Sequence, residues 1–405
     1  MKVSISKGKA KGSVQAPPSK SMAHRLLICA GLAEGISVVH GIAYSKDVLA
    51  TIDCLEALGV KCERSGDTIR VTGSDMCAAV PHQNLCCRES GSTLRFFVPL
   101  CLLSGNDVVL EGAPSLMSRP MGIYKTICDE GGMVFRQTDS QIAVRGPLQS
   151  GVYKLPGNVS SQFISGLLFA LPLLEGDSRL EIASPVESRS YIDMTLSALA
   201  RFGVEAVWEG ENTIAVKGNQ NYRPQEVWVE GDYSNAAFFE ALNVLGGEVQ
   251  VEGLDPASIQ GDKVYASMFE VLKKGNASLD ISDCPDLGPI LFSVAAVCSG
   301  GTFCGTKRLK IKESDRGAVM AEVLGKFGIS AIVNEDEIVI NPEGFRPPEE
   351  ALYGYNDHRI VMSEAVLMTL TGGTIEGAEA VSKSFPDFFD KLRSLGIEVK
   401  EIEDN

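Results

Sequence analysis

The sequence predicts an α/β protein of two similar lobes, and three observations lead to that class. One local grammar recurs six times: a polar turn, an apolar helix of about three turns, a Gly stop, a strand, a second helix and two short strands. The six first helices begin near Ser21, Ser92, Ser161, Ser234, Leu287 and His358, so their spacings are 71, 69, 73, 53 and 71 residues. The second helices end alike, as Ala57-Leu58-Gly59-Val60, Arg201-Phe202-Gly203-Val204, Lys326-Phe327-Gly328-Ile329 and Ser394-Leu395-Gly396-Ile397. Glycine there provides the left-handed residue that closes a helix before the chain returns as a strand.

In the first unit, the spacing predicts a helix over 22–33, a strand over 36–41, a second helix over 47–58 and a hairpin from 60–63 and 68–71. The other units repeat that order. A polar run, Gly218 to Gln225, breaks the pattern before a strand at Glu226 to Val229, which puts three units on either side. The expected lobes are 13–227 and 228–405. A ligand shared by two such lobes belongs in the cleft between them, which makes lobe closure the expected motion.

Composition narrows the function. The 37 Lys+Arg against 52 Asp+Glu leave a net charge of −15, which opposes non-specific binding to nucleic acid or an anionic membrane face. Apolar runs such as Leu167 to Leu174 are too short to span a bilayer. The start, Met1 to Ser6, alternates like a strand and has no apolar core of a secretory signal, so the expected compartment is the cytoplasm. Eleven Cys without a C-x-x-C and four His at no metal-ligand spacing read as reduced thiols and no metal site.

Any anion must then be held by local clusters. Small polar residues precede the first helices: Ser19-Lys20-Ser21, Glu89-Ser90-Gly91-Ser92, Ser160-Ser161-Gln162, Asp232-Tyr233-Ser234 and Asn356-Asp357-His358. Such starts either cap the helix or present free N–H groups to an anion. Capping does not account for the bases nearby: Lys20, Arg25, Arg95, Arg119, Lys312, Arg316 and Arg359. Two carboxylates stand among them. Asp286 reads either as an N-cap or as acid–base equipment, and Glu313 either as a structural ion-pair partner or as a proton carrier.

Together the segments PSKSMAHR, ESGSTLRFF, SRPMG, SSQFISG, KESDR, YNDHR and KSFPDFF resemble the 5-enolpyruvylshikimate-3-phosphate synthase family, in the family's order from Lys20 to Phe389. The resemblance implies three βαβαββ units per lobe, of the inside-out α/β barrel type, with residues 1–12 crossing to the C-terminal lobe and the active site in the interlobe cleft. It also implies transfer of the enolpyruvyl group of phosphoenolpyruvate to the 5-hydroxyl of shikimate 3-phosphate, with release of phosphate through a tetrahedral intermediate. This is a step toward chorismate and the aromatic amino acids, done by a monomer without metal or organic cofactor.

Matched motif by motif, the resemblance puts Ser21, Arg25, Ser160, Ser161, Gln162, Ser188, Tyr191, Arg308 and Lys312 on shikimate 3-phosphate, with Asp286 at its hydroxyl. It puts Gly91, Ser92, Arg119, Gln162, Arg316, Arg359 and Lys383 on phosphoenolpyruvate, and Lys20 against both substrates. Lys20, Asp286, Glu313 and His358 are the implied acid–base groups, since arginines cannot shuttle protons. The N-terminal lobe then serves mainly shikimate 3-phosphate, and the C-terminal lobe phosphoenolpyruvate and the proton transfers.

Three positions depart from the commonest pattern: Glu89 and Arg308, where Asn is frequent, and Phe96, where Pro is frequent. The Glu89–Phe96 departures leave the response to glyphosate, an expected competitor of phosphoenolpyruvate, open. The related UDP-N-acetylglucosamine enolpyruvyl transferases carry a reactive Cys on a loop of the second unit. Residues 111–120 here contain none, and Cys128 reads as core. A non-catalytic anion-binding relative has little reason to keep Lys20, Asp286 and Glu313 together. An RNA-processing relative is opposed by the net charge of −15.

Overall fold

The computed structural model describes residues 1–275 and 277–402. The chain forms two compact units, Pro18–Glu230 and Met1–Pro17 with Gly231–Asn405.

The Pro18–Glu230 unit contains three four-stranded sheets of one pattern: two parallel strands, then an antiparallel hairpin added to the second of them. In the first sheet, Glu226–Trp228 runs parallel to Ile36–His40, which pairs antiparallel with Thr68–Thr72, itself paired with Lys61–Ser65. The strand after the polar run therefore closes the sheet of the first repeat, nearly 190 residues away in sequence. Leu85–Cys86, Val108–Glu111, Gln141–Arg145 and Val134–Gln137 repeat the arrangement, as do Val152–Pro156, Ser178–Ala183, Thr213–Val216 and Ala206–Trp208.

The helices form the interior. α1 (Lys20–Leu32) and α3 (Gly91–Cys101) are buried nearly all round, as is Ser161–Ala170, so none of the three keeps the wide solvent-facing polar stripe of a surface helix. The second helix of each repeat, including α2 (Lys46–Ala57), is less completely covered; Gly122–Glu130 buries only Tyr124, Ile127 and Cys128. Strands such as Ser178–Ala183 alternate buried and exposed residues, which marks a sheet packed on one face and wet on the other. Helices inside and sheets outside give this unit its inside-out character. The four glycines that end second helices, Gly59, Gly203, Gly328 and Gly396, have φ of 93°, 77°, 82° and 84°, the region a side chain makes costly.

The other unit varies the pattern in two places. Its first repeat has Tyr233–Val244, Glu248–Glu252 and Tyr265–Lys274, but no hairpin follows among the described residues. Among the described residues Glu248–Glu252 pairs only with Lys11–Gln15, in parallel. The missing hairpin is the physical reason for the 53-residue interval, so the expectation of two closing strands in all six units fails here. In the last repeat Lys2–Ile5 takes the place of a hairpin strand, between Gly373–Glu376 and Val399–Ile402. Gly288–Val297 and His358–Thr371 are the buried helices of this unit.

Candidate active site

The start of α1 carries the first group of functional side chains. Ser19 caps the helix by accepting from the Met22 N–H, so Lys20 and Ser21 occupy its first turn. Lys20 Nζ donates to Asp47 Oδ2 at 2.8 Å, both side chains being largely buried. One turn on, Arg25 is 2% exposed and donates Nε to Thr195 Oγ1 at 2.8 Å, Nη1 to the Ser21 carbonyl at 2.6 Å and Nη2 to the Tyr191 carbonyl at 2.9 Å. Burial pulls its guanidinium down to about 10, partly resisted by Tyr191 and Cys29. The Phe96 ring lies 5.3 Å below the guanidinium carbon and meets Phe169 edge-on. Phe96 thus supports Arg25 from within α3, the helix that Ser90 caps by accepting from the Thr93 N–H.

Ser160 caps the Ser161–Ala170 helix through the Gln162 N–H. Gln162 joins two elements: its Oε1 accepts from Arg95 Nη1 at 2.7 Å and its Nε2 donates to Ser92 Oγ at 2.9 Å. At Gly91, a Cβ would stand 2.8 Å from Arg119 Nη1, so glycine makes room for that guanidinium. Ser188 precedes the Arg189–Arg201 helix at φ 55°, a left-handed conformation uncommon for serine. The backbone there turns to aim the helix start that carries Tyr191.

The 1–17 and 231–402 residues hold the second group, an ion network around Arg316. That side chain is 1% exposed and donates Nε to Asp357 Oδ2 at 2.8 Å, Nη1 to Asp286 Oδ1 at 2.9 Å and Nη2 to Glu313 Oε2 at 2.6 Å. Burial works against this charge, but Asp357, Glu313 and Asp286 outweigh it and hold Arg316 above the usual arginine range. Asp286 also accepts from Lys312 Nζ at 3.0 Å and Arg359 Nη2 at 3.3 Å. Burial favours its neutral form, yet Lys312, Arg359 and Arg316 hold it well below the carboxylate range. Lys312 is lowered instead: burial dominates, and Arg316 and Arg308 oppose the pull of Asp286. Three cations surround the acid, while other cations crowd the lysine.

Of the alternatives open for Asp286, the N-cap is excluded. Asp286 lies within a 3₁₀ turn, Pro285–Leu287, and Leu287, not Asp286, occupies the N-cap position of the Gly288–Val297 helix. Glu313 does make the ion pair with Arg316. Arg308 donates Nη2 to the Ser282 carbonyl at 2.5 Å, and Lys383 donates Nζ to the Asn356 carbonyl at 2.6 Å. His358 is 1% exposed, with Nδ1 3.9 Å from Asp357 Oδ1.

Sequence reasoning missed Asp47, Thr195 and Asp357 as partners. Asp357, 0% exposed, accepts from Arg316 and from Ser314 Oγ and caps the His358–Thr371 helix. Its place in YNDHR was the available signal. Among the described residues, no group of three or more His, Cys, Asp or Glu is arranged to hold a metal ion, and no helix is long and apolar enough to cross a membrane.

The fold is that of the enolpyruvyl transferases. EPSP synthase from Acinetobacter baumannii is similar over 99% of this chain and 100% of its own, with a TM-score of 0.77 and 27% identity. The enolpyruvyl transferase NikO from Streptomyces tendae, 13% identical with a TM-score of 0.77 over 98% of either chain, shares the fold alone. The sequence pattern of EPSP synthase (3-phosphoshikimate 1-carboxyvinyltransferase) matches residues 5–392, and the chain belongs to that family. Proteins named 3-phosphoshikimate 1-carboxyvinyltransferase from Clostridium kluyveri and Clostridium botulinum are 38% and 39% identical, over 98% and 96% of both chains.

Proposed function

We propose that this chain transfers the enolpyruvyl group of phosphoenolpyruvate to the 5-hydroxyl of shikimate 3-phosphate and releases phosphate. The observation that supports it best is the Arg316 network, where Asp286 and Glu313 share one buried guanidinium. Addition requires the hydroxyl oxygen to bond to C2 of phosphoenolpyruvate while C3 gains a proton. Elimination then requires the phosphate–C2 bond to break as a proton leaves the new methyl group.

In this reading Asp286, held ionised, accepts the hydroxyl's hydrogen bond and orients its oxygen. Glu313 and Lys20 carry the protons, with His358 beside Asp357. Arg316, Arg359, Lys383 and Arg119, with Gly91 and Ser92, bind the carboxylate and phosphate of phosphoenolpyruvate, and the cations stabilise the charge as phosphate departs. Ser21, Arg25, Ser160, Ser161, Gln162, Ser188, Tyr191, Arg308 and Lys312 bind shikimate 3-phosphate. The same reading makes the protein a cytoplasmic monomer that works without a cofactor.

Glu313→Gln tests the roles. It keeps shape and removes the exchangeable proton, so turnover falls at least about 100-fold while both KM values stay within about threefold. Turnover equal to wild type removes Glu313 from the mechanism. Mass spectrometry of the wild-type reaction should find the enol ether of shikimate 3-phosphate, and its absence defeats the reading as a whole.

A further inference from the structure

Behind Lys20 the Pro18–Glu230 unit contains a line of buried polar groups that the proposed reaction does not use. His24 stands one turn beyond Lys20 on α1, and Thr51 one turn beyond Asp47 on α2. The i, i+4 spacing on both helices stacks two rungs, Lys20 Nζ to Asp47 Oδ2 at 2.8 Å and His24 Nδ1 to Thr51 Oγ1 at 2.7 Å. The line goes on into α3: Thr51 Oγ1 meets Thr93 Oγ1 at 2.8 Å, and Thr93 Oγ1 meets Ser90 Oγ at 2.8 Å. Ser90 is the N-cap of α3 and accepts from the Thr93 N–H. His24, Thr51, Thr93 and Ser90 are each 0% exposed.

The direction of the chain follows from its one loose end. His24 Nε2 is buried without a hydrogen-bond partner. An orphaned buried N–H is rarer than an orphaned acceptor, so the ring proton belongs on Nδ1. Burial, then the charges of Lys20 and Arg25, hold the imidazole well below the ordinary histidine range, and the ring is neutral. Nδ1–H donates to Thr51, Thr51 to Thr93, and Thr93 to Ser90, so that each threonine hydroxyl accepts one bond and donates one.

We infer that His24 is a positioning residue for enolpyruvyl transfer: through Thr51 and Thr93 it locks α2 and the cap of α3 to α1. It thereby keeps Lys20 on Asp47 and keeps the Ser90–Gly91–Ser92 turn beside Arg119. A hydroxyl chain of one direction fixes helix register in a way that apolar packing does not. Displacement of a reacting group by about 1 Å can cost on the order of 100-fold in rate. The inference rests on the proposed roles of Lys20 and of the Gly91–Ser92 turn.

The test is steady-state kinetics and thermal melting of His24→Leu, His24→Asn, Thr51→Val and the double variant His24→Leu/Thr51→Val. Asn can place an N–H near the Nδ1 position, whereas Leu cannot. His24→Leu should lose about 10- to 100-fold in kcat with KM for either substrate changed less than about threefold, and His24→Asn should recover kcat to within about threefold. Because the chain acts as one unit, the double variant should lose no more kcat than Thr51→Val alone. Equal kcat for the Leu and Asn variants overturns the inference, as do additive losses in the double variant. If His24→Leu fails to fold, a wild-type kcat in folded Thr51→Val overturns it instead. Lys20→Met, assayed alongside, reports on the parent reading: wild-type turnover there removes the role of Lys20. Lost turnover there with a fully active His24→Leu removes only the role of His24.

Discussion

Replacing Asp357 by Asn should destabilise the protein far more than its one-atom change in shape suggests. The carboxylate is 0% exposed and accepts Arg316 Nε at 2.8 Å, Arg316 Nη2 at 3.2 Å, Ser314 Oγ at 3.0 Å and the Arg359 N–H at 3.0 Å. Around it Asp286, Glu313 and Asp357 face Lys312, Arg316 and Arg359, so the named charges balance. Asn caps a helix about as well as Asp, so the cap contributes little to the difference. Removing one partner of a buried pair costs about 3–5 kcal/mol, and at about 2–4 °C per kcal/mol for a unit of this size, Tm falls by roughly 6–20 °C. Differential scanning calorimetry at neutral pH measures it, with Asp357→Asn/Arg316→Met as the companion. The double variant restores the balance and should recover part of the loss. An Asn variant melting within about 2 °C of wild type, or a double variant no better than the single, refutes the reasoning.

Two further outcomes follow from the geometry. Glu364 is 0% exposed, neither carboxyl oxygen has a partner, and burial pushes the group well above the carboxylate range, so folding favours its protonated form. The unfolded chain loses that proton above about pH 4.3, so the group's contribution to stability is present in acid and declines by about 1.4 kcal/mol per pH unit until the folded pKa is passed. Glu364→Gln should therefore gain Tm over wild type as pH rises above about 4.3, until the folded pKa is passed, and a pH-independent difference contradicts this. In Gly91→Ala the new methyl group lands 2.8 Å from Arg119 Nη1, the movable end of a long side chain. The fold and kcat should survive, while KM for phosphoenolpyruvate rises about tenfold from one weakened charge-assisted bond. An unchanged KM contradicts it.

The repeat was legible because each signal is local. Apolar helices and αL glycines such as Gly59 and Gly396 are dictated by neighbours a few residues away. Pairing between distant strands was not: the alternation in Lys2–Ile5 announces a strand, but nothing local says that it lies between Gly373–Glu376 and Val399–Ile402. The irregular 53-residue interval was visible, and its cause, an absent hairpin, was not. The site divides the same way. The Glu313–Arg316 pair is an i, i+3 contact readable within KESDR. Arg25 meets Thr195 across 170 residues of chain, and Thr195 looks like any other threonine of a half-buried helix. Asp47 reads as an ordinary first-turn acid until the fold sets it against Lys20.

Inorganic phosphate release from phosphoenolpyruvate, followed continuously with purified protein and alternative acceptors, tests the central claim most directly. The account predicts steady turnover with shikimate 3-phosphate and none with UDP-N-acetylglucosamine. Turnover with the nucleotide sugar and none with shikimate 3-phosphate would contradict it.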